Sequence, residues 1–159
     1  MSVSPEEIEQ RMDRFETGLR KADMKMTIQR MEIFREVAGS ADHPDVETIF
    51  KRLRMRLPTV SLDTVYRTLW MLLDLGLLST LGASRDRTRF DANMKTHHHF
   101  VCVQCGMTRD FYSEELDRLK VPGSVALFGS MEKTRVEVSG LCKQCSTESN
   151  PKTQKEDVS

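Results

Sequence analysis

Apolar residues recur every three or four positions through the first half of the chain. Ile8, Met12, Phe15 and Leu19 mark one such stretch within residues 5–22, and the spacing predicts a helix with one buried face. Thr27 has the character of an N-cap. It precedes Ile28, Met31, Ile33, Phe34 and Val37, with Gly39 as the stop. His43-Pro44-Asp45 opens a third helix with Pro44 near its first turn. Its apolar positions are Val46, Ile49, Phe50 and Leu53, and Pro58 ends it. Ser61 caps a fourth helix that runs through Leu75, with Val65, Leu69, Leu72 and Leu73 on one side and Gly76 where a C-terminal cap belongs.

The period then changes. Leu77 to Leu81 and Thr88 to Phe90 are short extended runs around Gly82-Ala83-Ser84-Arg85-Asp86, which predicts a β-hairpin with a charged tip. Helices followed by a hairpin predict a winged helix-turn-helix. Beyond it, His99–Val103, Thr108–Phe111, Ser124–Phe128 and Thr134–Val138 read as strands and Glu114–Leu119 as a short helix, while no helical pattern begins at any cysteine. The fold class is therefore α+β: an N-terminal winged helix-turn-helix domain over residues 1–88, then a C-terminal α/β domain over 89–146. The stretch from Ser146 is almost devoid of apolar residues, so 147–159 is expected to be a disordered tail.

Composition narrows the function classes. The hydrophobic fraction of 38% and charged fraction of 30% are those of a soluble globular protein. No apolar run approaches the roughly 18 residues of a membrane span, and the polar, acidic start has no secretory character. A cytoplasmic protein with no membrane partner is expected, and in that reducing compartment four cysteines suggest metal ligands before disulfides. The 24 basic and 24 acidic residues balance. That excludes a polybasic, non-specific nucleic-acid binder and leaves room only for clustered cations.

Cys102-Val-Gln-Cys105 and Cys142-Lys-Gln-Cys145 are two CxxC pairs that use every cysteine in the chain. A two-residue gap lets two thiolates face one tetrahedral ion, and Gly106 suits the turn of such a knuckle. The 36 residues between the pairs exceed the gap of a compact zinc ribbon. A folded β subdomain must therefore bring the knuckles together around one structural Zn(2+), a coordinatively full site.

Three of the four histidines are consecutive, His97-His98-His99. On a strand His97 and His99 share a face and His98 points away. Asp91 precedes them, Asp110 lies on the following strand, and His43 lies far off at a helix start. Imidazole and carboxylate donors together suit Mn(II), Fe(II) or Zn(II). The alternative is a set of solvated polar residues on a surface strand.

The order of these features resembles the ferric-uptake-regulator (Fur) superfamily over about residues 10–146. The resemblance rests on Thr27-Ile-Gln-Arg30, Ala41-Asp-His43-Pro44, Ser61-Leu-Asp-Thr-Val-Tyr-Arg67, Arg89-Phe-Asp91, His97-His-His99, Cys102-Val-Gln-Cys105-Gly106, Asp110-Phe111 and Gly140-Leu-Cys142-Lys-Gln-Cys145. It implies structural zinc on Cys102, Cys105, Cys142 and Cys145. It also implies a regulatory Fe(2+) or Mn(2+) held by His43, Asp91, His97, His99 and Asp110 between two domains. The helix from Ser61 would enter the major groove of double-stranded DNA at a palindromic operator, with Ser61, Thr64, Tyr66 and Arg67 as the contact residues. Arg52 and Arg85 are further cations within the resemblance's reach of phosphates, and the C-terminal domain would form a homodimer.

Aspartate at both carboxylate positions resembles the peroxide-sensing branch of the superfamily, in which a ligating imidazole, His43 or His97 here, is the oxidation-sensitive group. A second metal site of iron-uptake regulators has Thr96, His98, Asp117 and Thr134 at its matching positions. Two of these are poor ligands, which argues against that site and leaves His98 a bystander. The reading is thus a non-enzymatic, metal-dependent repressor, with iron- or manganese-uptake regulation as the alternative within the family. From other classes, a CxxC redox protein or a zinc-binding interaction module remain.

Overall fold

The structure, a computed structural model, describes residues 3–81 and 88–148. The chain divides into two compact units, Met1–Lys95 and Thr96–Ser159.

Four helices and a two-stranded ribbon make the first unit: α1 (Pro5–Lys21), α2 (Ile28–Ala38), α3 (Val46–Arg54), α4 (Leu62–Asp74), β1 (Ser79–Leu81) and β2 (Arg89–Asp91). Each helix starts where a side-chain oxygen satisfies a backbone N–H that the first turn leaves unpaired. Ser4, Thr27, Asp45 and Ser61 accept from the N–H groups of Glu7, Arg30, Thr48 and Thr64 respectively. Asp45 therefore caps α3 and Pro44 lies outside it, one position earlier than the sequence suggested. The helix also stops at Arg54, before Pro58 is reached.

The apolar stripes converge on one core of Phe15, Leu19, Ile33, Phe34, Ile49, Leu53, Leu69 and Leu72, all essentially without solvent exposure. Phe15 and Phe34 stack with ring centroids 4.7 Å apart. After α4, Gly76 takes φ 68°, the left-handed turn that lets Leu77 and Leu78 fold back under the helix. The predicted hairpin forms with β1 and β2 antiparallel, Thr80 opposite Phe90. Its expected tip, Gly82–Asp86, lies outside the described residues, and so does Arg85.

The first unit extends past residue 88, where the sequence placed the boundary. Strand β2 pairs with β1, and the segment after it is tied to α1: Arg14 Nη2 donates to the Ala92 carbonyl at 2.6 Å and Lys95 Nζ meets Glu7 Oε1 at 3.8 Å. Asp91 accordingly belongs with the helices.

The second unit holds β3 (His98–Cys102), β4 (Thr108–Phe111), α5 (Glu114–Asp117), β5 (Glu137–Gly140) and α6 (Lys143–Glu148). Its sheet has the order β4-β3-β5, with β3 antiparallel to β4 and parallel to β5. Two strand expectations are corrected. Gly123–Leu127 is a 3-10 turn following Pro122 with no strand partner among the described residues, and the last strand begins at Glu137, where pairing with His99 starts. A third correction is α6, which begins at the second CxxC pair. The expected tail from 149 onward lies outside the described residues.

Candidate metal centres and nucleic-acid interface

The four thiols converge. Cys102 ends β3, Gly106 turns the chain at φ 72°, and the Gly106 N–H closes the knuckle on the Cys102 carbonyl at 2.9 Å. Cys142 follows β5, which the parallel pairing of Cys102 with Gly140 sets alongside. All four sulfurs lie within 4.8 Å of one another. The Cys105 and Cys142 sulfurs are 3.8 Å apart. Bonds of about 2.3 Å in a tetrahedron require about this same separation, so the donor set fits zinc. The Cys142 and Cys145 N–H groups point at the Cys102 and Cys142 sulfurs at 3.3 and 3.4 Å, as thiolates require. Backbone N–H groups, Cys105's foremost and then Cys142's, hold the Cys102 thiol down at about 6, while burial pushes that of Cys145 up. None of the four is in a disulfide.

This centre also supports the unit mechanically. The buried apolar cluster of the second unit, among the described residues, is Cys102, Cys142 and Cys145 with Phe100 and Met107 packed against them. So small a core cannot stabilise a unit of this size alone, which gives a metal crosslink a folding role.

A second donor group lies on the other end of β3. His99 sits opposite Asp110 in the β3–β4 register. His97 and His99 turn to the same side with their Nε2 atoms 3.0 Å apart, and Asp110 Oδ1 is 3.3 Å from His99 Nε2 and 3.7 Å from His97 Nε2. Two nitrogens 3.0 Å apart have the spacing of adjacent ligands at about 90° with bonds of about 2.1 Å. Two imidazoles and a carboxylate suit Fe(II), Mn(II) or Zn(II).

The first unit carries its own pair. His43 Nδ1 lies 3.6 Å from Asp91 Oδ1. Strand β2 positions both. Phe90 N–H donates to the Pro44 carbonyl at 3.1 Å, Asp45 bridges to Arg89, and Arg89 Nη1 donates to the Asp42 carbonyl at 3.2 Å. Held from both sides, His43 takes φ 49°, a left-handed conformation uncommon for a residue with a side chain. Asp91 Oδ1 accepts from the Asn93 N–H at 2.7 Å, which fixes its rotamer.

His98 is not a bystander. It is fully buried and both its nitrogens are used: Val136 N–H donates to Nδ1 at 3.2 Å, so Nε2 carries the proton and donates to Asp117 Oδ1 at 3.1 Å. This side chain joins β3 to α5 and to the approach of β5. Strand alternation sets His98 apart from its two neighbours, but nothing in the sequence names Val136 as a partner for it.

On α4, Ser61 is spent as the cap, its Oγ 3.1 Å from Thr64 N and 2.9 Å from Thr64 Oγ1. Tyr66 and Arg67 are exposed on the side opposite Val65, Leu69 and Leu72. Two residues that sequence reasoning missed accompany them. Trp70 is partly exposed and makes edge contacts with Tyr66 and with Phe90 of β2, at 5.7 and 6.3 Å between centroids. Asp63 pairs with Arg67, and the i,i+4 spacing is the signal that could have found it. Arg52, expected to be available to phosphates, is committed instead to Asp42 at 2.7 Å and Glu36 at 3.6 Å.

A winged helix joined to a strand-rich unit with a four-thiolate centre and a histidine–aspartate cluster defines a metal-responsive DNA-binding regulator. The model of the ferric uptake regulator family matches residues 21–124, and the chain belongs to that family. Its relatives include the peroxide-responsive repressor PerR of Staphylococcus epidermidis, 31% identical over 150 residues (94% of this chain and 100% of that protein). The Staphylococcus aureus repressor of the same name is 32% identical over 145 residues, 91% of this chain and 98% of that protein. In structure the chain is similar to the Helicobacter pylori ferric uptake regulator, with a TM-score of 0.68, 23% identity, and 87% and 93% of the two chains covered. A zinc-bound manganese uptake regulator gives 0.63, 29% identity, and 80% and 97%. The four-cysteine centre fits the structural zinc of such regulators, and the family consists of transcriptional regulators, not enzymes. No helix among the described residues is long and apolar enough to cross a membrane.

Proposed function

We propose that this chain is a homodimeric repressor that senses peroxide through Fe(II), with Mn(II) giving a peroxide-insensitive form. The regulatory ion draws on His43 and Asp91 of the first unit and on His97, His99 and Asp110 of the second. The observation that carries this reading is the convergence of His97, His99 and Asp110 on one point. Aspartate as the carboxylate there and at residue 91 supports the peroxide branch over metal uptake, as do the repressors named above.

Ser61 caps α4, and Thr64, Tyr66 and Arg67 present its exposed face to the major groove. Holding both units with one ion fixes the spacing of two recognition helices in a dimer, so metal binding becomes DNA affinity through a coupling of about 1–3 kcal/mol. In support of dimerisation, the second unit exposes three large apolar side chains, Leu127, Phe128 and Met131, within one five-residue stretch. Fe(II) held there would supply the redox chemistry that opens the O–O bond, with no net change at the iron. One peroxide is consumed in the balance: the imidazole of His43 or His97 gives up two electrons and gains one oxygen atom on a ring carbon, the other oxygen leaves as water, and the oxidised ring is a poorer ligand.

The test is DNA binding by the zinc-loaded chain with Mn(II), with Fe(II), and with Fe(II) plus dilute peroxide, followed by peptide mass mapping. Peroxide should release DNA only from the Fe(II) form and add one oxygen to the His43 or His97 peptide. If both forms hold DNA unchanged through peroxide treatment, the chain is an iron- or manganese-uptake regulator instead.

A further inference from the structure

The first turn of α4 places an acid against the base it would offer to DNA. Arg67 Nε and Nη2 both donate to Asp63 Oδ2, at 2.8 and 2.7 Å. The pair is exposed, so it adds little to stability. Its effect is on the charge α4 presents. Because the chain's net charge is zero, no overall field draws it to DNA. Affinity must come from a few placed cations, and Arg30, which faces the same groove beside α4, is already turned to the Lys25 carbonyl.

We propose that Asp63 is a specificity-determining residue: its carboxylate withholds Arg67 from random phosphates and yields it only to the correct half-site. This rests on α4 being the DNA-facing helix. A phosphate offers Arg67 no more than the carboxylate already gives, and the Asp63 charge repels it. The O6 and N7 of a guanine offer a bidentate replacement, and the released Asp63 carboxylate can then accept from a neighbouring cytosine amino group. The pair trades one ion pair for two base contacts on a G·C-containing half-site and has no such exchange on other sequence.

The experiment measures fluorescence anisotropy of the Mn(II)-loaded chain on two duplexes. One is enriched from a random pool by the wild-type chain, and the other is an unselected random duplex. Asp63→Asn and Asp63→Ala should tighten binding to the random duplex. The slope of log affinity on log salt there should steepen by about 0.9 per half-site, an extra loss of about 3.5-fold between about 50 and 200 mM salt. The ratio of selected to random affinity should narrow accordingly. Asp63→Glu, which can still pair at i,i+4, should restore both quantities, and adding Arg67→Ala to Asp63→Asn should erase the gain. Unchanged slope and ratio in both folded Asp63 variants would overturn the proposal, as would equal weakening on both duplexes, which marks a merely structural acid. If Arg67→Ala alone leaves both affinities at the wild-type level, α4 does not face DNA and the underlying reading falls as well.

Discussion

Replacing His98 by alanine tests whether the buried imidazole braces the metal-binding strand. Three losses follow from its contacts. The half-buried Val136 N–H loses its acceptor inside the second unit, costing about 1–2 kcal/mol. The hydrogen bond to Asp117 is lost, but that carboxylate is 36% exposed and can turn to water, so its share is about 0.5 kcal/mol. The imidazole itself has no solvent exposure and packs 5.5 Å from the Phe111 ring, so its removal leaves a cavity worth about 1 kcal/mol. The expected sum is about 3 kcal/mol, or about 12–24 °C in the Tm of the second unit. Because His98 lies between His97 and His99, slack in β3 should also weaken Mn(II) binding by about 10–100-fold. Calorimetric unfolding of the zinc-loaded variant reads the first quantity and Mn(II) titration the second. A variant that unfolds within about 1 kcal/mol of wild type and binds Mn(II) equally well refutes the bracing role.

Asp117→Asn keeps an acceptor for His98 Nε2 and should cost less than about 1 kcal/mol, measured by the same unfolding scan. Cys142→Ser should abolish zinc retention and melt the second unit while the first stays folded, seen as loss of zinc on dialysis with helical circular dichroism largely kept. Backbone N–H groups hold the Cys102 thiol at about 6 in the folded unit, below its unfolded value, so its ionisation favours that fold at alkaline pH and the contribution disappears as pH falls through about 6; zinc retained on dialysis should drop over the same range. Trp70→Ala should loosen the wing strand through its Phe90 contact and cost about 1–3 kcal/mol of first-unit stability by thermal unfolding.

The helices were legible because their signals are local. Periodic apolar residues and a capping oxygen specify Thr27–Gly39 and Ser61–Gly76 without reference to the rest of the chain. The cysteine pairs were legible because metal chemistry constrains spacing. The second unit was harder. Ser124–Phe128 has strand-like composition, yet Pro122 and Gly123 start a 3-10 turn and no strand among the described residues pairs with it. Whether Asp91 goes with the helices or with the sheet depends on β1–β2 pairing and on Arg14, 78 residues away from its Ala92 partner, and periodicity cannot report such contacts. The role of His98 likewise depends on Val136 and Asp117, 38 and 19 residues distant. Arg52 was misread because its acidic partners are set by tertiary folding, not by helical spacing.

Strand β2 is only three residues long, and it carries a core ring at Phe90, a clamp on the His43 loop at Arg89 and a donor at Asp91. All three ties share one short run of backbone, so a displacement of the wing strand would carry the His43–Asp91 pair with it. Linkage between two ligands is reciprocal: if the proposed ion binds at this pair, a duplex that steadies the wing tightens the protein's hold on the ion by the same factor that the ion tightens its hold on the duplex. Repressor seated on its operator would then be the last in the cell to surrender metal to a competing chelator.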